Sequence, residues 1–345
     1  MTGLHVRIHT GKLDGRSLVD TFILEQFVEF VQIQSVGMQR TRGRQPMRAL
    51  GVGLLVALTA TASMTGATAA PGPVPPLVEP AGQERHVGKV VFVELVTPDL
   101  AASERFYAGM FGWSFRDLQS GGSRYAAALL DGRPIAGLVQ RDAPPGARRQ
   151  PAWLTFLAVH DVDAARETAV RNGAKVLLEP RNVPDRGREA VFADPQGAVF
   201  AVLASTSGDP SEALAEPGEW IWSSLFTRDP DTDAGFYQML LDYEVFDLPS
   251  TGGDRHLMLA SGDYARASAN NLPATTGGAH PHWINYVRVD DAASMVDKAV
   301  ALGDRVLVGP RLDRHGGRIA IVTDPQGAPF GLLEWSTTDT KAVTK

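Results

Sequence analysis

The chain has 345 residues, enough for two domains or one large one, and its 44% hydrophobic share supports a substantial core. Its net charge of −6, with no basic stretch past the N-terminal region interleaved with aromatics, argues against nucleic-acid binding. The absence of cysteine excludes disulfides, thiol catalysis and any cysteine-held zinc or iron–sulfur centre.

The N-terminal region reads separately from the fold. "MQRTRGRQPMR" (38–48) is basic, "ALGVGLLVALTA" (49–60) is apolar, and small residues follow to "GATAAPGPVPP". This is the n-region, h-region and A-x-A pattern of a secretory signal peptide, assigned to 38–70. Ala67-Thr68-Ala69 is the expected cut near Ala69, because cleavage after Ala70 would leave Pro71 first. The mature protein is therefore expected to be exported. The apolar run falls short of the roughly 20 residues that cross a bilayer, so no stable membrane span is expected in the mature form. Residues 1–37 form an uncertain extension: Met38 or Met47 could be the start instead of Met1, and "FILEQFVEFVQIQ" (22–34) could equally be a short amphipathic helix.

Gly- and Pro-rich 71–87 reads as a linker. Beyond it the chain repeats itself. "TPDLAASERFYAGMFGW" (97–113) aligns with "TRDPDTDAGFYQMLLDY" (227–243). "PAWLTFLAVHDVDAARETAVRNGAKVLLEPR" (151–181) aligns with "PHWINYVRVDDAASMVDKAVALGDRVLVGPR" (281–311), and "DPQGAVF" (194–200) with "DPQGAPF" (324–330). The shift is 130 residues at every anchor, so the chain is a tandem duplication, with domains at 88–206 and 219–337, a linker at 207–218 and a tail at 338–345. Each unit also divides in two. An alternating apolar strand leads to a helix that Asp99 or Ser103 can cap, and short strands follow; the second half repeats this, with Gly173 closing its helix. The fold class is α+β: four βαβββ modules in two tandem domains, each a curved mixed sheet around a concave cup with helices outside. Gly197 and Gly327 suit the tight turn into each last strand.

The strand–"PDL"–"FY"–"FGW" opening, "HDVD" and "VDDA" before the second helices, and the "GR-x-A-x-x-x-DPQGA-x-F" closings resemble the vicinal oxygen chelate superfamily. This is the glyoxalase, bleomycin-resistance and extradiol dioxygenase group, and the closest likeness within it is to two-domain glyoxalase-like proteins. The resemblance covers about residues 88–337. In metal-dependent members it implies ligands on the first strand, on the equivalent strand of the second half, and on the last strand. Those positions read Phe92, Leu154 and Ala201 in the first domain and Trp222, Ile284 and Gly331 in the second, and none can coordinate a metal. Glu334 lies three residues past the last position, which turns it to the other face of its strand. "HPH" (280–282) suits a strand entry better than a ligand pair. No metal or other cofactor is expected.

Strand alternation predicts the cup linings. They are Phe92, Glu94, Val96, Leu154, Phe156 and Ala201 in the first domain, and Trp222, Ser224, Phe226, Ile284, Tyr286, Arg288 and Gly331 in the second. Small residues at the last-strand positions leave volume for a guest. Arg188 and Arg318 could hold a ligand carboxylate or brace the "DPQG" turns. The expected partner is a small, aromatic or polyketide-like molecule bound without metal by a monomer whose two domains pair. The alternative is a metal-independent lyase or an oxygenase/hydroxylase-like enzyme with Glu94 as its acid–base group.

Overall fold

A computed structural model describes residues 8–9, 74–120, 123–141, 151–248, 254–272, 280–312 and 317–335. The signal peptide assigned to 38–70, nearly all of 1–37 and the tail at 338–345 lie outside the described residues.

Each half-repeat folds as strand, helix and three strands. In the first domain these are β2 (Val90–Thr97), α1 (Leu100–Phe111), β3 (Ser114–Ser120), β4 (Ser123–Leu130) and β5 (Arg133–Gln140). Then come β6 (Ala152–Ala158), α2 (Val162–Arg171), β7 (Lys175–Val183), β8 (Gly187–Ala193) and β9 (Val199–Ser205). The second domain runs β10 (Trp220–Thr227), α3 (Pro230–Leu241), β11 (Glu244–Asp247), β12 (His256–Ser261) and β13 (Tyr264–Asn271). It continues with β14 (His282–Val289), α4 (Ala292–Ala301), β15 (Val306–Leu312), β16 (Arg318–Thr323) and β17 (Pro329–Glu334). The sheets have the same order, β3-β4-β5-β2-β6-β9-β8-β7 and β11-β12-β13-β10-β14-β17-β16-β15. A short strand, β1 (Ile8–His9), extends the second by pairing in parallel with Val245 and Phe246.

Helix starts follow the sequence signals. Asp99, Asp161, Asp229 and Asp291 each cap a helix by accepting from its first free N–H groups. Ser103, the other expected cap, is buried instead and bonds Thr97 Oγ1 at 3.0 Å. The constant shift hides one local slip: β5 begins at Arg133 and β13 at Tyr264, which is 131 residues, before the register returns to 130 at β6 and β14. By pairing, Gly137 therefore corresponds to Ser268, and Tyr125 to His256.

The convex faces of the two sheets share their cores. Leu157, Ala169, Phe200 and Val202 of the first domain pack with Leu225, Phe236, Tyr237 and Trp283 of the second. Leu95, Phe106 and Tyr107 pack with Val287, Phe330 and Leu332. The helices lie on these shared faces, so the cups face away from each other. At the centre, Thr155 Oγ1 and the Asn285 amide, equivalent residues of the two repeats, hydrogen-bond each other at 3.0–3.1 Å.

The repeated "DPQG" turn clamps the pair. Asp194 Oδ1 accepts from the N–H groups of Gln196, Gly197 and Ala198, while Oδ2 accepts from the Tyr237 hydroxyl of the other domain at 3.1 Å. Tyr237 in turn accepts from Trp283 Nε1. The Gln196 side chain brackets the backbone of Asp229, donating to its carbonyl and accepting from its N–H. Asp324 closes its own turn through the same three N–H groups and meets Ser103 of the first domain at 3.5 Å. Gly197 and Gly327, at φ 104° and 103°, hold turn conformations that other residues reach only with strain.

Removing a buried acceptor strands its donors, at about 1–3 kcal/mol per uncompensated group. Asp194→Ala is expected to cost roughly 3–5 kcal/mol and Tyr237→Phe about 1–2 kcal/mol. Urea denaturation of each variant checks both values, and a loss below 1 kcal/mol for Asp194→Ala would contradict the clamp.

Candidate functional site

Alternation along β2 turns Phe92, Glu94 and Val96 to the concave face, and Val93 and Leu95 to the helices. Pairing then sets Phe92 beside Phe156 and Phe156 beside Ala201, with Glu94 between Leu154 and Gly137. Six predicted lining residues thus share one surface. The Pro-rich stretch read as a linker lies across that surface: Leu77 packs with Phe92, Phe156 and Ala201, and Val74 with Tyr125, Val139 and Val183. Val78 N–H anchors it by donating to Ser207 Oγ at 3.2 Å. Glu94, Val96 and Leu154 remain only half-buried beneath it.

Four further polar side chains, Tyr125, Arg181, Arg186 and Glu189, gather around Phe92 and Glu94. Tyr125 crosses from β4 over Gly137, where any Cβ would overlap its hydroxyl, and its phenolic oxygen stands beside Glu94. Arg181 holds Glu189 through two bonds of 2.7 and 3.0 Å. Arg186 is 3% exposed and its guanidinium carbon stands 3.9 Å from the centroid of the Phe92 ring. None of its three side-chain nitrogens has a hydrogen-bond partner among the described residues. Burial, and next the Glu189 carboxylate, push the Glu94 pKa up to about 7, against the downward pull of Arg186, Arg181 and Arg141.

The second cup has other contents on the same frame. Trp222, Phe226, Ile284, Tyr286, Leu333 and Trp335 form one apolar cluster. The volume expected beside Gly331 is not free, because the Tyr286 ring fills it and would collide with any Cβ there. Ser224, matching Glu94, bonds Ser268 at 2.9 Å; Trp222 Nε1 and the Asn270 amide also donate to Ser268 Oγ. His256 stands where the first cup has Tyr125, and burial lowers its pKa to about 4, which keeps it neutral. Arg288 donates to the carbonyls of Ala215 and Trp335, bracing the interdomain linker. Beside Trp222 a cleft of about 380 Å³ opens between the domains, lined also by Lys89, Glu212, Trp220 and Arg266.

The remaining polar candidates have structural partners. Arg188 pairs with Asp163 in the first turn of α2 through two bonds of 2.7 Å, and does not brace the "DPQG" turn. Glu334 faces α4, where it accepts from Ala292 N–H at 3.3 Å and stands 4.0 Å from Arg318. His280 is exposed, while His282 stacks on Phe226 with Nδ1 against the His280 carbonyl. Among the described residues no three His, Asp or Glu side chains converge as a metal-holding group. The donor set does not fit a chelated ion: all six expected positions lack a donor, and in the second cup the Tyr286 ring takes the space.

Sequence reasoning missed Tyr125, Arg181, Arg186 and Glu189. Tyr125 was accessible from the hairpin "SRYAAALLDGRPIAGLVQ", whose Asp131-Gly132 turn, with both φ positive, sets the register of β4 on β5. Arg186 lies in a β-turn, where no period reveals direction.

Gly137→Ala is expected to displace the Tyr125 hydroxyl from Glu94 at a cost of about 1–3 kcal/mol, read by urea denaturation. Glu94 supplies a pH signature. Its folded pKa of about 7 exceeds the ordinary 4.5, so the folded state keeps a proton that the unfolded chain releases. Stability therefore falls as pH rises from about 4.5 to about 7, by up to about 3 kcal/mol from this group. Glu94→Gln should flatten that fall, measured as the difference between variant and parent at pH 5 and pH 8. Buried Asp233 and Asp304, raised to about 7 and about 6, contribute equally to both proteins.

A family model described as Glyoxalase/Bleomycin resistance protein/Dioxygenase superfamily matches residues 89–202 and 221–332. The chain is 32% identical over 259 residues to the "Putative glyoxylase CFP32" of Mycobacterium tuberculosis (strain CDC 1551 / Oshkosh), covering 74% of this chain and 98% of that protein. It is 34% identical over 259 residues to the anthracycline biosynthesis protein DauV of Streptomyces sp. (strain C5), covering 72% and 93%. An extradiol ring-cleaving dioxygenase from B. fuscum has the same fold, with a TM-score of 0.53 at 17% identity, over 77% of this chain and 75% of that one.

Proposed function

Because the chain belongs to the Glyoxalase/Bleomycin resistance protein/Dioxygenase superfamily, we propose that it binds a small planar aromatic or polyketide-like molecule in its first cup, without a metal ion. The observation that carries this reading is the half-buried Glu94, flanked by Tyr125 and Arg186 among Phe92, Leu154 and Phe156. Apolar walls with a few convergent polar groups suit a small guest. The name of DauV, a protein of anthracycline biosynthesis, favours a fused-ring polyketide as that guest. The second cup, with its cluster closed on Trp222 and Tyr286, is the lesser candidate. The protein acts outside the cytoplasm as a monomer, its two domains supplying the pairing, and no helix among the described residues is long and apolar enough to cross a membrane.

One observation favours a second reading. A carboxyl with a pKa of about 7 is poised to give and take protons at neutral pH, which suits Glu94 as the acid–base group of a metal-independent lyase or oxygenase-like reaction. Loss of turnover in Glu94→Gln at unchanged stability would select that reading over binding alone.

Thermal-shift measurements in EDTA test the binding reading. A fused-ring polyketide at about a hundred times its Kd should raise Tm by on the order of 5–10 °C. A flat response across a panel of such compounds, or binding that vanishes with a stoichiometric metal, would rule it out. N-terminal sequencing of protein collected from the medium checks the expected cleavage after Ala69.

A further inference from the structure

A buried cation without partners needs an explanation. Desolvating a guanidinium is costly, and native proteins satisfy nearly all buried donors. Arg186 has five N–H donors, yet none reaches an acceptor among the described residues. Of its neighbouring carboxylates, Glu189 is held by Arg181, and Glu94 makes no hydrogen bond or ion pair with Arg186. Its guanidinium lies over the face of Phe92.

The turn that carries Arg186 is built to direct it inward. Asp185 has φ 63° and Gly187 has φ 135°, and a Cβ at Gly187 would collide with the Ala204 carbonyl. Thr206 holds the turn from beneath, its N–H donating to the Arg186 carbonyl and its hydroxyl to that of Asp185, both at 3.1 Å. The second repeat has Gly316 at the equivalent position, so the fold does not require this arginine.

We propose that Arg186 anchors the ligand of the first cup, its planar fork receiving two adjacent phenolic or keto oxygens of an aromatic ring in place of a metal ion. This rests on the binding function proposed above and names the chemistry that the site selects. A guanidinium presents paired N–H groups in one plane and matches two neighbouring oxygens, as a lysine ammonium cannot. Glu94 accepts from a phenol of the same ring, and Phe156 and Leu154 contact its apolar body.

Calorimetric titration in EDTA with alizarin, an anthraquinone bearing adjacent phenols, and with unsubstituted anthraquinone tests the assignment. The parent protein should bind alizarin roughly tenfold or more tighter, the worth of charge-assisted hydrogen bonds. Arg186→Met, which refills the apolar volume, should bind both compounds alike. Arg186→Lys, which keeps the charge, should recover only part of the preference and serves if the methionine variant does not fold. Equal affinities in the parent protein, or a preference that survives in both variants, would overturn the anchor and leave the binding function standing. Failure of both compounds to bind the parent protein would remove both.

Discussion

The architecture depends on two buried carboxylates. Asp194 and Asp324 each close a four-residue turn with one oxygen and meet the opposite domain with the other. Such a charge is tolerable in a core only because several donors converge on it. That need ties the geometry of the last strand in each domain to the first helix of its partner. The shared helix layer follows, and with it the outward direction of both cups. The clamp is not symmetric. Where the first domain offers Ser103, the second has buried Asp233, whose carboxyl is pushed up to about 7 by burial and by Asp194 beside it.

One scaffold therefore displays two chemically different surfaces. In the first cup a glycine opposite Glu94 leaves room for the Tyr125 hydroxyl, and the pair is ringed by arginines and a second carboxylate. In the second the same places hold Ser224, Ser268 and His256, a neutral set in which the two serines hydrogen-bond each other at 2.9 Å, while Tyr286 fills the hollow over Gly331. The strands match across the repeats because their helix-facing sides pack into the shared cores. The linings were free to diverge, since the pleat constrains only which way a side chain points.

Segments between the elements complete the first cup. Val74 and Leu77 lie against its apolar wall, and the stretch is held at Ser207, in the connection between the domains. Covering the site in this way removes water and strengthens every charge inside it. Glu94 accordingly departs from ordinary carboxylate behaviour, whereas Arg188, half-buried beside α2, makes a surface pair with Asp163.

Local signals specified much of this protein. Period-two alternation, aspartate caps and the repeated "DPQG" turns determine the βαβββ modules, their duplication, the face on which Phe92, Glu94, Trp222 and Tyr286 lie, and the lack of donors at the expected metal positions. These properties depend on neighbours a few residues apart or on a constant offset. Tertiary structure alone decided what each face meets. Nothing local says that Leu77 covers the cup, that Tyr286 occupies the room left by Gly331, that Arg288 braces a linker, or that Arg186 turns inward onto Phe92. Those outcomes join residues far apart in the chain or lying in turns, where direction is set by packing and backbone strain and no sequence period encodes it.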